Sequence, residues 1–261
     1  MPRTPARWQQ VLACLLTAVV AVAGSASGAA GAQELGPLGP LAADGRVAYY
    51  IAPADPASSY HSSDADLALW ALRAWERATR GALTFVPARR PEDALVRLYW
   101  APPGGGQYGE MVPLEIGDKR GAAVFVRPDT NAFGPEIAQR AADDALFRDT
   151  IVYLTCVHEL GHALGLRHTD RFEDVMYFFG FGGDIPEFFG RYRRQLEKRA
   201  DIAKMAGISA GDLAQLRSLY ELPLQARLPG LELPEIKGLW MPARLVRPDT
   251  SPYNARSFGG R

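Results

Sequence analysis

The sequence predicts an α+β domain. Four short apolar segments with strand character lie between residues 46 and 128, a long helical segment separates the first from the other three, and three further helical segments follow. The strand candidates are "RVAYYIA" (46–52), "LTFVPA" (83–88), "ALVRLYWA" (94–101) and "AAVFVRP" (122–128). All are rich in β-branched or aromatic residues and bounded by turn formers. A weaker segment, "QYGEMVP" (107–113), sits between turn-rich stretches and reads as a short edge strand.

The first helix is marked by Ser63 and Asp66, spaced as a capping pair, and by apolar residues at Leu67, Trp70, Ala74 and Ala78. It runs to Arg80, where Gly81 stops it. The second is expected from about Asp149 to Leu164. Beyond it "YFFGFGGDIPEFFGRY" has no clear period, while "RYRRQLEKRADIAKMAG" predicts a charged, solvated surface helix. Ser209 and Asp212 form another capping pair and open "LAQLRSLYEL", with Leu213, Leu216 and Tyr220 on one face. No internal repeat is visible.

The ends of the chain read differently. Arg3 and Arg7 precede the apolar run "VLACLLTAVVAVA" and a small-residue stretch ending Ala30-Gly31-Ala32, the order of a secretory signal cleaved after Ala32. The run is short for a bilayer span of about 20 residues, so no stable membrane anchor is expected. The expected organisation is a signal (1–32), a flexible leader (33–45), one domain (46–222) and a Pro/Arg-rich tail (223–261). The product is expected to be secreted or periplasmic, and a monomer. After cleavage Cys156 is the one cysteine left, so no internal disulfide forms. With 29 basic and 29 acidic side chains, there is no electrostatic reason to expect a nucleic-acid partner or an anionic membrane.

The chemistry concentrates in "TCVHELGHALGLRHTDRFEDVMYFF" (155–179), which holds three of the four histidines. On a helix, His158 and His162 return to one face a turn apart, and both imidazoles can reach a single ion. Gly165 can take the left-handed conformation that ends the helix and turns His168 back as a third ligand. Three neutral imidazoles leave zinc one open position, the mark of a catalytic site. Glu159, on the adjoining surface, is placed to take a proton from water on the metal and pass it to a departing amine. A lone His-Glu-x-x-His arises easily by chance. With Gly165 and His168 added, the pattern is expected on the order of once in a hundred thousand chains.

The pattern His158-Glu159-x-x-His162-x-x-Gly165-x-x-His168, followed by Asp174-Val175-Met176-Tyr177, resembles a metzincin zinc protease, and among these a matrixin. "SAGDLAQLRSLYEL" is similar to the helix that closes the matrixin domain. The resemblance implies a metzincin-like zincin fold: a twisted, mostly parallel sheet with an edge strand, a long N-terminal helix, an active-site helix, a methionine turn and a C-terminal helix. It implies a secreted zinc-dependent endopeptidase acting on protein or peptide substrates, with one catalytic Zn2+ and Met176 packed beneath the ligands. Tyr177, Phe178 and Phe179, with Phe181, Phe188 and Phe189, become candidates for the substrate-pocket wall or for packing under a loop. Departures also count. No cysteine stands between the signal and Cys156 to cap the zinc, and only His61 is left over for a second zinc. Calcium remains unassigned, since Asp143 and Asp144 read as ordinary surface charges. Two alternatives stand beside this reading: a non-catalytic zinc-binding interaction module of the same fold, and another metzincin branch, which would require additional cysteines.

Overall fold

The structure is a computed structural model that describes residues 39–41, 45–103 and 107–220. The expected signal, most of the leader and the tail from Pro223 lie outside the described residues. Five strands form one sheet: β1 (Arg46–Ile51), β2 (Thr84–Pro87), β3 (Val96–Trp100), β4 (Gly109–Ile116) and β5 (Lys119–Val126). Their order is β2-β1-β3-β5-β4. All neighbours pair in parallel except β4 and β5, which are antiparallel. Burial explains the arrangement. In β3, Val96, Leu98 and Trp100 alternate into the core, while β5 carries the consecutive buried small residues Ala122, Ala123 and Val124 and is covered on both faces. β4 exposes Glu110, Pro113 and Glu115, as an edge strand can.

Five helices pack around the sheet: α1 (Asp64–Ala78), α2 (Pro135–Asp143), α3 (Ala145–Leu164), α4 (Ile185–Arg193) and α5 (Ala210–Tyr220). The α3 helix is the central element, packed against α1 on one side and against β4 and β5 on another. The Trp75 indole N–H of α1 donates to the Val157 carbonyl of α3 at 2.9 Å, so the interface is buried without leaving that polar group unpaired. Among the described residues, no helix is long and apolar enough to cross a membrane.

Several local expectations change. The Ser63 side chain does not cap α1; the next residue, Asp64, accepts the His61 N–H at 2.9 Å and faces Arg148 of α3. The α3 helix begins four residues earlier than predicted. Asp144 caps it by accepting from Leu146 N at 3.0 Å and Phe147 N at 3.1 Å, and pairs with Arg193 at 2.7 Å. Asp144 is therefore a structural carboxylate rather than an ordinary surface charge. The α2 helix had one sequence signal, Pro135 at its first position after Gly134.

The charged segment after Arg193 is not a helix. Asp201 accepts the backbone N–H groups of Glu197 (3.1 Å) and Lys198 (3.0 Å), which folds the chain into a short turn. That turn sends Arg199 inward to Asp149 (2.9 Å) and to the Ser63 carbonyl (2.6 Å). Part of the supposedly flexible leader is also packed. Leu41 is buried, its N–H donates to the Tyr220 hydroxyl at 3.1 Å, and Arg120 donates to the Gly39 carbonyl at 2.9 Å.

The Arg148–Asp64 pair ties α1 to α3 through two contacts, Nη1 to Oδ1 and Nη2 to Oδ2, the latter at 2.8 Å. The two side chains are 8% and 0% exposed. Removing one partner leaves a buried charge unpaired, which costs about 3–5 kcal/mol. Asp64→Ala is expected to lose that much in denaturant unfolding. Asp93→Ala, which removes an exposed pair with Arg90, is expected to lose no more than about 1 kcal/mol. Equal losses in the two variants would show that the buried pair carries no special weight.

Candidate metal centre

The histidines are positioned by the end of α3 and by the two segments that follow it. Gly165 adopts φ 102°, ψ 5°, and the helix closes with Gly165 N donating to His162 O (2.9 Å) and Leu166 N to Gly161 O (3.0 Å). This paired pattern is the glycine-terminated Schellman ending. It reverses the chain within a residue and brings His168 back over the face carrying His158 and His162.

The ring nitrogens then converge. His168 Nε2 lies 3.3 Å from His158 Nε2 and 3.1 Å from His162 Nε2. The other nitrogens are held by backbone carbonyls: His158 Nδ1 by Val175 O at 2.6 Å and His162 Nδ1 by Leu166 O at 3.0 Å. Each Nδ1 must carry the proton it donates, so in the neutral ring each Nε2 presents a lone pair. Two lone pairs thus face the third imidazole, and one proton from His168 can satisfy only one of them. A cation resolves the conflict. Two nitrogens on a tetrahedral ion at about 2.0–2.1 Å would lie about 3.3–3.4 Å apart, which the His158–His168 spacing matches and the His162–His168 spacing approaches. Among the described residues, these three form a group able to hold a metal.

Burial keeps His158 and His162 neutral. It depresses the basicity of His158 well below the usual imidazole range, helped by the neighbouring His162. It lowers His162 to about 4, with His168 adding to the effect. Burial also raises Glu159 to about 8, reinforced by Glu110 and opposed by Arg127. Cys156, nearby in sequence, is fully buried with its thiol pushed up by burial, an inert core group.

The segment Asp174–Tyr177 passes directly beneath the site. Met176 is fully buried, and a Cβ added to Gly161 would stand 2.4 Å from its Sδ, so α3 and the methionine meet where α3 has no side chain. The turn is held from α5. Asp212, itself fully buried, accepts Val175 N at 2.9 Å and Met176 N at 3.2 Å. The expected Ser209–Asp212 capping pair is present in both directions: Ser209 N donates to Asp212 at 2.8 Å, and Asp212 N to Ser209 Oγ at 3.0 Å. Ser209 Oγ also donates to Asp174 at 2.5 Å. The capping pair was legible in the sequence; its second task, gripping a turn 36 residues earlier, was not.

The aromatic candidates separate. The Phe178 ring lies 4.8 Å from His168 at 34°, beside the metal ligands. Tyr177 is buried with its hydroxyl donating to Gly182 O at 3.0 Å, and Phe179 packs on Phe188 at 5.0 Å. Phe188 and Phe189 are core residues, whereas Phe181 is 64% exposed. A cavity of about 430 Å³ opens on the other side of Val175, walled by Leu154, Val175, Phe188, Tyr192, Met205 and Ile208.

Fold and site can now be set beside known proteins. Among curated proteins none matches the chain. The family profile described as matrixin matches residues 43–181, just over half of the sequence, from the approach to β1 through the turn beneath the histidines. The chain belongs to the matrixin family of zinc-dependent metallopeptidases.

Proposed function

We propose that the protein is an exported endopeptidase in which His158, His162 and His168 hold one zinc ion and Glu159 is the general base. The observation that carries this reading is the convergence of Nε2 lone pairs whose tautomers are fixed by the Val175 and Leu166 carbonyls. Export rests on the sequence of residues 3–32, and the span 46–222 is the proposed catalytic unit.

Bound there, zinc supplies acidification of a water molecule and polarisation of the peptide carbonyl. The chain's own residues do the rest. The free edge of β4 offers backbone groups to an extended peptide, which sets its carbonyl beside the histidines. The Glu159 carboxylate, in its ionised form, would remove a proton from the attacking water and deliver it to the departing amine nitrogen. Phe178, against His168, is an apolar surface available to a side chain beside the cut bond. Replacing Glu159 with alanine is expected to lower kcat on the order of 10²- to 10⁴-fold while zinc content stays at one per chain. Full activity in that variant, or chelator-insensitive cleavage by the parent, would refute the mechanism. A chain that binds zinc but cleaves no unfolded protein would be the non-catalytic module instead.

The protonation states give a second prediction. In the metal-free protein near neutrality His162, at about 4, has no proton to lose, and His158 lies in the same direction. Glu159, at about 8, is largely protonated. A dication beside it favours the ionised form, so metal uptake at pH 7 expels the Glu159 proton and zinc affinity rises with pH up to about 8. Calorimetry in buffers of different ionisation enthalpy is expected to show roughly one proton fewer released in Glu159→Gln than in the parent. Equal release would place the proton elsewhere. The folded-state shifts also set the metal-free stability. His162 withdraws it as pH falls from about 6.5 to 4, with His158 acting in the same direction, and Glu159 withdraws it as pH rises from about 4.5 to 8.

A further inference from the structure

Gly109 opens β4 and pairs with Val126 of β5. A Cβ built on it would stand 2.6 Å from Glu159 Cγ, 2.8 Å from Glu159 Oε1 and 2.8 Å from Thr155 Cγ2. Contacts this close are essentially never made by real Cβ atoms, so a side chain at 109 forces a movement. Its backbone conformation is not one that demands glycine, since Gly109 is absent from the positive-φ residues. The requirement is therefore one of space, and the space is filled by the carboxylate of Glu159.

The geometry points to Gly109 as a positioning residue for Glu159: the bare strand backbone forms one wall of the slot that fixes the carboxylate. The strand is poorly able to retreat. Tyr108 stacks on Phe133 at 3.9 Å and meets Phe189 at 5.2 Å, and its carbonyl accepts the Arg127 N–H at 2.9 Å. Two residues beyond Gly109, Met111 is buried in the core. On the opposite side Thr155 sits on α3 one turn before Glu159, within a helix buried along most of its length. Of the groups that meet at Gly109, the side chains of Glu159 and Thr155 are the ones that can give, and the unbranched glutamate chain has the more torsions to do so. A methyl group at 109 is thus absorbed by rotation of Glu159, at modest cost to the fold and large cost to the placement of its oxygens.

This inference rests on the proposed role of Glu159, and the experiment separates the two. Gly109→Ala is expected to keep its zinc and its melting temperature, to leave KM within about twofold, and to lose kcat on the order of 10- to 100-fold, as a carboxylate displaced by about 1 Å would. The same substitution is then made in the Glu159→Ala background, and binding of an unlabelled substrate peptide is measured. With no carboxylate to displace, the affinity is expected to be unchanged. A drop in peptide affinity in that background would show that position 109 acts on substrate pairing and overturn the inference. So would full activity of Gly109→Ala beside an inactive Glu159→Ala. If Glu159→Ala were itself active, the proposed mechanism would fail first. Should Gly109→Ala fold poorly, Gly109→Ala with Thr155→Ser removes the Cγ2 contact. That double variant must then fold and still lack kcat relative to Thr155→Ser alone; equal kcat in the two would also refute the assignment.

Discussion

Three imidazoles converge at the end of α3, two of them half-buried with lone pairs directed at the exposed third, and the rest of the site depends on that convergence. Burial disfavours a proton on either His158 or His162. Beside them a carboxyl group is kept from ionising by burial and by Glu110. A dication held by these residues would accept the lone pairs and favour the ionised carboxylate, provided the rest of the fold keeps the nitrogens from relaxing apart.

What prevents relaxation is mostly backbone. The orientation of His158 depends on the Val175 carbonyl and that of His162 on the Leu166 carbonyl. Leu166 is placed by the helix ending at Gly165, a local matter. Val175 is placed by Asp212, at the start of α5, whose carboxylate takes the two N–H groups of Val175 and Met176. The path from α5 to a metal ligand thus runs through one buried aspartate and one peptide unit. Asp212 is itself fixed by Ser209, and the carboxylate of Asp174 lies against Gly211, where a Cβ would come within 2.6 Å of its oxygens. A helix about 50 residues downstream of the histidine motif is in this sense part of the candidate metal centre, through partners that orient the histidines.

Local signals in the sequence were sufficient for the convergence of the three histidines, because two of them lie a helical turn apart and the third follows a glycine whose conformation is nearly dictated. The strands of the sheet were legible from their apolar composition, and β4 as an edge from its weakness. The failures share a cause. The capping role of Asp144, the burial of Asp64 with Arg148 and the turn around Asp201 all depend on polar side chains choosing between water and a partner. A charged residue in a string shows nothing of which choice it makes. The segment 191–207 has enough long charged side chains to look like a solvated helix, yet Arg199 finds Asp149 and the Ser63 carbonyl instead. Gly109 was invisible for a different reason. It occupies a weak strand beside a glycine-rich stretch, and its significance depends wholly on which side chain from another element lies above it.

The edge strand shows how two demands meet in one residue. For a peptide to add to β4, that edge has to remain uncovered, and among the described residues β4 pairs with β5 alone. For the peptide carbonyl to be attacked, the base has to stand within hydrogen-bond reach of a water beside it. Both conditions draw the strand and the α3 helix together at the point where Glu159 emerges. At such an approach the strand can contribute a backbone and little else. A larger residue at 109 would leave the edge open for pairing yet turn the carboxylate out of line, so peptide binding and proton transfer would come apart. That separation is possible because the edge is a property of the sheet, whereas the slot exists between the sheet and a helix. A single missing methyl group keeps the two in register.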